Sequence, residues 1–94
     1  MRVRNINGTS GLSCKCGSWL DHWKKHSKQT ASYCSERSCM SSPEVGAHIQ
    51  KDSSTDTSWY IVPLCHKHNQ KATSLEIIDE RVLVSANQSQ TCGK

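Results

Sequence analysis

The sequence contains no phenylalanine and no apolar run long enough to cross a membrane, and its N-terminal stretch MRVRNINGTSGLSCKCG has no apolar segment. Each absence excludes something. Hydrophobic residues make up 34% of 94 residues, and three Trp and two Tyr are the only aromatics, so a large oily core is excluded. A domain this short buries only about 60% of the surface its unfolded chain exposes. Folds of this size generally take extra stability from disulfides or a structural metal. A membrane helix needs about 18 or more consecutive apolar residues. A secretory leader needs an apolar stretch of its own. The expectation is a cytoplasmic chain with no membrane partner. No internal repeat and no second domain is visible, so residues 1–94 read as one domain.

What the chain does have is six Cys and five His. Cytoplasmic thiols stay reduced, which favours metal over disulfides. The short steps Cys14-x-Cys16, Cys34-x4-Cys39 and Cys65-x2-His68 suit chelation. Should the chain be a mature fragment from an oxidising compartment, six Cys allow 15 pairings. The formal net charge is +4. Much of the excess comes early, where Arg2, Arg4, Lys15, Lys24, Lys25 and Lys28 face Asp21 alone. Such a bias attracts phosphate backbones, and it is also what a solvated face looks like.

Along the chain, residues 1–13 read as flexible or extended. Ser18 caps a short helix, with Asp21 at the third position. Trp19, Leu20 and Trp23 make its apolar stripe. His22 and His26, four apart, share a face. The Lys residues lie toward its C-terminal end, where the helix dipole favours cations. VGAHIQKD reads as a strand, SSTDTS as a loop tip and WYIVPLC as a second strand. Pro63 restricts that strand to an edge or to its own end. HKHNQKAT begins a short helix. LEIIDERVLV predicts a short hairpin or two strand fragments, and SANQSQTCGK is a tail that Cys92 could tie down.

Four residues form the first candidate metal site: Cys34, Cys39, Cys65 and His68. A structural zinc takes four such ligands in a tetrahedron, from two short loops that each bind twice. The order knuckle, hairpin, helix with the last two ligands is the layout of a treble clef. The fold class expected is therefore α+β: a small zinc-stabilised treble-clef domain with an additional N-terminal helix. A second candidate site comprises Cys14, Cys16, His22, His26 and Cys92. Cys14 and Cys16 could instead pair with Cys34 and Cys39. One zinc ion, or two, is expected.

The residues GAHI and WYIVPLCHKHN, preceded by CSERSC, resemble the HNH-type (ββα-metal) endonuclease finger over roughly residues 34–72. The resemblance implies that Cys34, Cys39, Cys65 and His68 are the structural zinc ligands. It implies His48 as general base and Asn69 as a ligand of a catalytic cation such as Mg2+. This sequence departs from the pattern in two places. Ala47 stands where active members carry a ligand, and the hairpin loop has no Asn, with Asp52 and Asp56 the nearest substitutes. A phosphodiester cleaver needs both a base and a cation cage. The function expected is a zinc-binding, HNH-like nucleic-acid binder with weak or no catalysis. The alternatives are an active metal-dependent endonuclease and a small regulator that binds a host protein. Trp19, Trp23 and Trp59 could stack on bases if exposed; with no Phe, burial is the expectation for each.

Overall fold

A computed structural model describes residues 1–6, 18–52, 55–70, 73–78 and 82–86 of the chain. Among these residues, five strands and two helices follow in the order β1 (Arg2–Asn5), α1 (Trp19–Ser27), β2 (Val45–Lys51), β3 (Tyr60–Leu64), α2 (His66–Asn69), β4 (Leu75–Glu76) and β5 (Val84–Ser85). The strands form one antiparallel sheet in the order β4-β1-β2-β3-β5. The α+β expectation holds. Of the N-terminal segment, read as flexible or extended, residues 2–5 take the extended form, as an inner strand hydrogen-bonded on both sides. Val3 is the reason: it is fully buried, while its neighbours Arg2 and Arg4 are exposed. One apolar residue in a polar stretch carries too little alternation to announce a strand.

The hairpin β2–β3 is the backbone of the fold, in register from Val45↔Leu64 to Ile49↔Tyr60. Side chains alternate across a sheet. Gly46 and His48 of β2 therefore share a face with Ile61 and Pro63 of β3, and α1 lies on that face. Ala47, Ile49, Val62 and Leu64 share the other face with Val3 and Asn5 of β1. Both faces are covered, so Ile49, Ile61, Val62 and Leu64 are each fully buried. Each such side chain contributes about 1.5–3 kcal/mol of apolar burial. Pro63 falls one residue before the strand's end, beyond the reach of β5, which pairs only with Tyr60 and Ile61. The LEIIDERVLV segment gives two strand fragments and no hairpin: β4 joins β1 and β5 joins β3, at opposite edges.

Helix α1 starts at the expected cap, where Ser18 Oγ accepts from the Asp21 N–H at 3.0 Å. It ends at Lys28, which takes the left-handed conformation (φ 58°) and donates its N–H to Lys24 O. Its buried face differs from the apolar stripe. His22 and Trp23 are the buried pair, and Trp23 Nε1 donates to Val82 O at 2.6 Å. The helix backbone rests directly on β2 at Gly46. A Cβ there would meet the carbonyl carbon of Trp19, Leu20 N at 2.5 Å and Trp19 O at 2.6 Å. Among the described residues no helix is long and apolar enough to cross a membrane.

Candidate metal centre

Two local structures bring four ligand atoms together. The first is the turn between Cys34 and Cys39, closed by Cys39 N–H donating to Glu36 O at 3.0 Å and Cys34 N–H to Ser41 O at 2.8 Å. Ser35 N–H donates to Pro63 O, Arg37 N–H donates to Glu76 O, and Ile78 N–H donates to Ser35 O. The turn is thereby bolted to β3 on one side and β4 on the other. The second local structure is the end of β3. Cys65 takes an extended conformation and caps α2, and Asn69 N–H donates to Cys65 O at 3.0 Å. His68, three residues on, lies on the same side of this turn as Cys65.

The Sγ atoms of Cys34, Cys39 and Cys65 and a ring nitrogen of His68 all lie within 4.8 Å of one another. Cys39 Sγ and Cys65 Sγ are 3.9 Å apart. His68 Nδ1 is 3.6 Å from Cys34 Sγ and 3.2 Å from Cys65 Sγ. A tetrahedral ion with metal–sulfur bonds near 2.3 Å and metal–nitrogen bonds near 2.05 Å has edges of about 3.8 Å between sulfurs and about 3.6 Å between sulfur and nitrogen. The Cys39–Cys65 and Cys34–His68 separations match those edges, and the Cys65–His68 separation is shorter than its edge. The three cysteines are free thiols, with no disulfide among them. Cys34 and Cys65 are buried, so the site is closed on its inner side.

The electrostatics point the same way. Burial pushes the Cys34 thiol up to about 11, while the Ser41 backbone N–H draws Cys39 down. Three clustered thiols cannot all ionise without a positive partner. A bound cation supplies it, and thiolates are the form that binds. His68 presents Nδ1 to the sulfurs and its other nitrogen, Nε2, to Glu36 Oε1 at 3.9 Å. A carboxylate behind a ligating imidazole orients the ring and raises its basicity. Glu36 is itself held by Ser38, whose N–H and Oγ donate to the same oxygen at 2.8 and 2.9 Å. Glu36 lies inside the Cys34–Cys39 step, and sequence reading passed over it; its place within the loop was the available signal. Glu36→Gln keeps an acceptor for Ser38 and removes the charge. It is expected to weaken metal binding about tenfold in a chelator competition.

The remaining site residues are distributed differently. His48 and Asn69, paired by the HNH resemblance, are not brought together. His48 is 6% exposed and faces α1, its ring 4.5 Å from that of Trp19 and 6.0 Å from that of Trp59. Asn69 ends α2, which is tied to the opposite face through Asn5 Nδ2 donating to His68 O at 2.9 Å. Asp56 does not face His48 either. Its carboxylate accepts from Tyr60 Oη and the Ser58 N–H and pairs with Lys51 Nζ at 3.4 Å. The Tyr60 hydroxyl, above all, holds that carboxyl well below its usual range. Tyr60 and Lys51 both lie on the face away from His48. Ala47 is buried in the core.

Of the second candidate group, His22 and His26 are adjacent, with ring centroids 4.8 Å apart. His22 is fully buried, and its Nε2 lies 2.9 Å from Ser85 O. Cys14, Cys16 and Cys92 lie outside the described residues. Among the described residues, Cys34 and Cys39 are gathered with Cys65 and His68.

Burial, and then the nearby His22, lower the pKa of His48. The folded state therefore resists the proton that the unfolded chain accepts. The resulting stability is complete above the unfolded value near 6.5 and is lost as pH falls below it. Urea midpoints at constant ionic strength are expected to drop from pH 7 to pH 5.5, and His48→Gln is expected to flatten that slope.

No known protein family, curated protein or solved structure matches the chain.

Proposed function

We propose that Cys34, Cys39, Cys65 and His68 hold a structural zinc ion, and that the zinc-loaded module binds nucleic acid without cleaving it. The observation that carries this reading is the set of three thiols and one imidazole at tetrahedral spacing. Thiolate and imidazole donors favour zinc over the hard cations, which take oxygen. The order of elements supports a treble clef. The Cys34–Cys39 turn leads into the β2–β3 hairpin, and α2 brings in the final ligand. Both halves of the ligand set thus come from turns that the hairpin positions. With four protein ligands the coordination is complete, which suits a structural role.

Charge supports the nucleic-acid assignment. Lys24, Lys25 and Lys28 are exposed on α1, with Asp21 the one acidic residue of that helix. Arg2, Arg4, Arg37 and Lys67 are exposed elsewhere. Tyr33 and Met40, which flank the metal ligands, are 57% and 75% exposed, and Trp59 is 42% exposed. Exposed aromatic rings can stack on bases, and exposed cations can hold phosphates. The separation of His48 from Asn69 and Asp56 argues against a metal-dependent endonuclease, because among the described residues these expected cation ligands do not face the candidate base.

The experiment is retention of the zinc-loaded protein on single- and double-stranded DNA and RNA across a salt series. Binding that weakens steeply as salt rises is expected, with a shallower slope in Lys24→Ala/Lys25→Ala/Lys28→Ala. Absence of retention at low salt sinks the nucleic-acid reading and leaves a protein partner. Magnesium-dependent nicking of a plasmid, lost in His48→Ala, establishes the nuclease instead.

A further inference from the structure

The Cys34–Cys39–Cys65–His68 centre is unevenly covered. Cys34 and Cys65 are buried, and Cys39 is the one of the three cysteines partly open to solvent. It stands between two exposed residues, Ser38 and Met40. A small solute therefore meets this centre at Cys39. The Cys39 sulfur is also the one that lies 3.9 Å from the buried Cys65 sulfur. A disulfide bond is about 2.05 Å long, so the two sulfurs need to approach by about 2 Å, on the scale of side-chain rotation.

Metal ligation keeps such cysteines as thiolates, and the thiolate is the nucleophile. An accessible thiolate with a second one beside it is the arrangement that reacts with peroxides and then closes to a disulfide. Cys39 supplies the first role and Cys65 the second. The partners come from different parts of the fold. Cys39 closes the turn that is held to β3 and β4, and Cys65 ends β3 and caps α2.

We propose that the centre is a redox switch, in which a hydroperoxide joins Cys39 to Cys65 and the metal ion is released. The inference rests on the zinc reading above. In the first step the Cys39 thiolate attacks one peroxide oxygen. An S–O bond forms, the O–O bond breaks and hydroxide leaves, giving a sulfenic acid. In the second step the Cys65 thiolate attacks the Cys39 sulfur, the S–S bond forms and the sulfenic oxygen leaves as hydroxide. Two thiolates have given two electrons to the peroxide, and the ion keeps its oxidation state. Cys34 and His68 remain as donors, where a structural zinc requires four. The turn loses the ion that tied it to β3 and α2, so oxidation turns the folded module off. A thiol reductant with zinc restores it.

The test treats the reduced, zinc-loaded full chain with hydrogen peroxide. Released zinc is read with a chromogenic chelator against an untreated control, and near-UV circular dichroism is read on the same sample. Cross-links are mapped by mass spectrometry of tryptic peptides. Cleavage after Arg37 and Lys51 puts Cys34, Cys39 and Cys65 in separate peptides. Release of one equivalent of zinc, a Cys39–Cys65 cross-link and loss of the near-UV signal are expected, all reversed by dithiothreitol and zinc. Cys39→His keeps four ligands and removes the reacting sulfur, and it is expected to hold its zinc through the same treatment. Should that variant fail to fold, the wild-type peptide map decides. Reduced wild type that holds no zinc overturns the zinc reading and this inference with it. Three results overturn this inference alone: wild type that keeps its zinc through peroxide, wild type that loses it without a Cys39–Cys65 bridge, and folded Cys39→His that releases zinc as wild type does.

Discussion

Cys65→Ser is expected to leave the chain unfolded at 25 °C, with or without added zinc. Cys65 is shared by both local structures of the centre. It ends β3, caps α2 and places its sulfur 3.9 Å from Cys39 and 3.2 Å from His68 Nδ1. A serine hydroxyl at that point is a far weaker ligand than a thiolate. Structural zinc in small fingers is worth roughly 10–16 kcal/mol of apparent binding energy at neutral pH. A natural domain has a total stability of about 5–15 kcal/mol. Losing even half of the metal term exceeds what this core replaces, because its fully buried side chains, His22 apart, are aliphatic and, among the described residues, few. The measurement is amide dispersion in a proton–nitrogen spectrum together with near-UV circular dichroism. Collapse of both is expected, and a strong chelator added to wild type is expected to give the same spectra. His68→Cys, which keeps four ligands, is expected to remain folded.

Gly46→Ala is expected to destabilise the zinc-loaded protein by about 3 kcal/mol, at the upper end of what overpacking ordinarily costs. The new methyl meets backbone atoms of Trp19 and Leu20, which cannot rotate away as a side chain could. The helix must lift, taking with it the Trp23–Val82 hydrogen bond and the His22 contact to Ser85. For a domain this size the melting temperature falls by roughly 15 °C. The Cys/His cluster is tied to the other face of the sheet through Asn5, so metal stoichiometry at Cys34, Cys39, Cys65 and His68 is expected to survive. Differential scanning calorimetry with zinc analysis on the same sample checks both halves. An unchanged melting temperature contradicts the close seating of α1 on β2.

The centre was legible in the sequence because chelating steps are local. Cys34-x4-Cys39 and Cys65-x2-His68 each close within one turn, and the β-branched run between them announced the hairpin. The cap of α1 was legible for the same reason: Ser18 and Asp21 are three residues apart. What the sequence hid depends on distant partners. Val3 gains its burial from Leu75 and Lys51 across two strands. β4 and β5 are two residues each, so pairing at opposite edges leaves no periodic trace. His22 read as a candidate metal ligand beside His26, and nothing local in its sequence showed that it is fully buried where α1 turns that side to the sheet. Gly46 read as an ordinary strand residue, and only the seated helix shows why no side chain fits there.

The most direct test is elemental analysis and native mass spectrometry of protein purified without added metal or chelator, with its thiols assayed at the same time. Zinc bound at one or more equivalents per chain, with Cys34, Cys39 and Cys65 protected from alkylation until the metal is stripped, is the result expected. Folded protein that carries no metal, or whose Cys34, Cys39 or Cys65 is joined in a disulfide, contradicts a fold built around that ion.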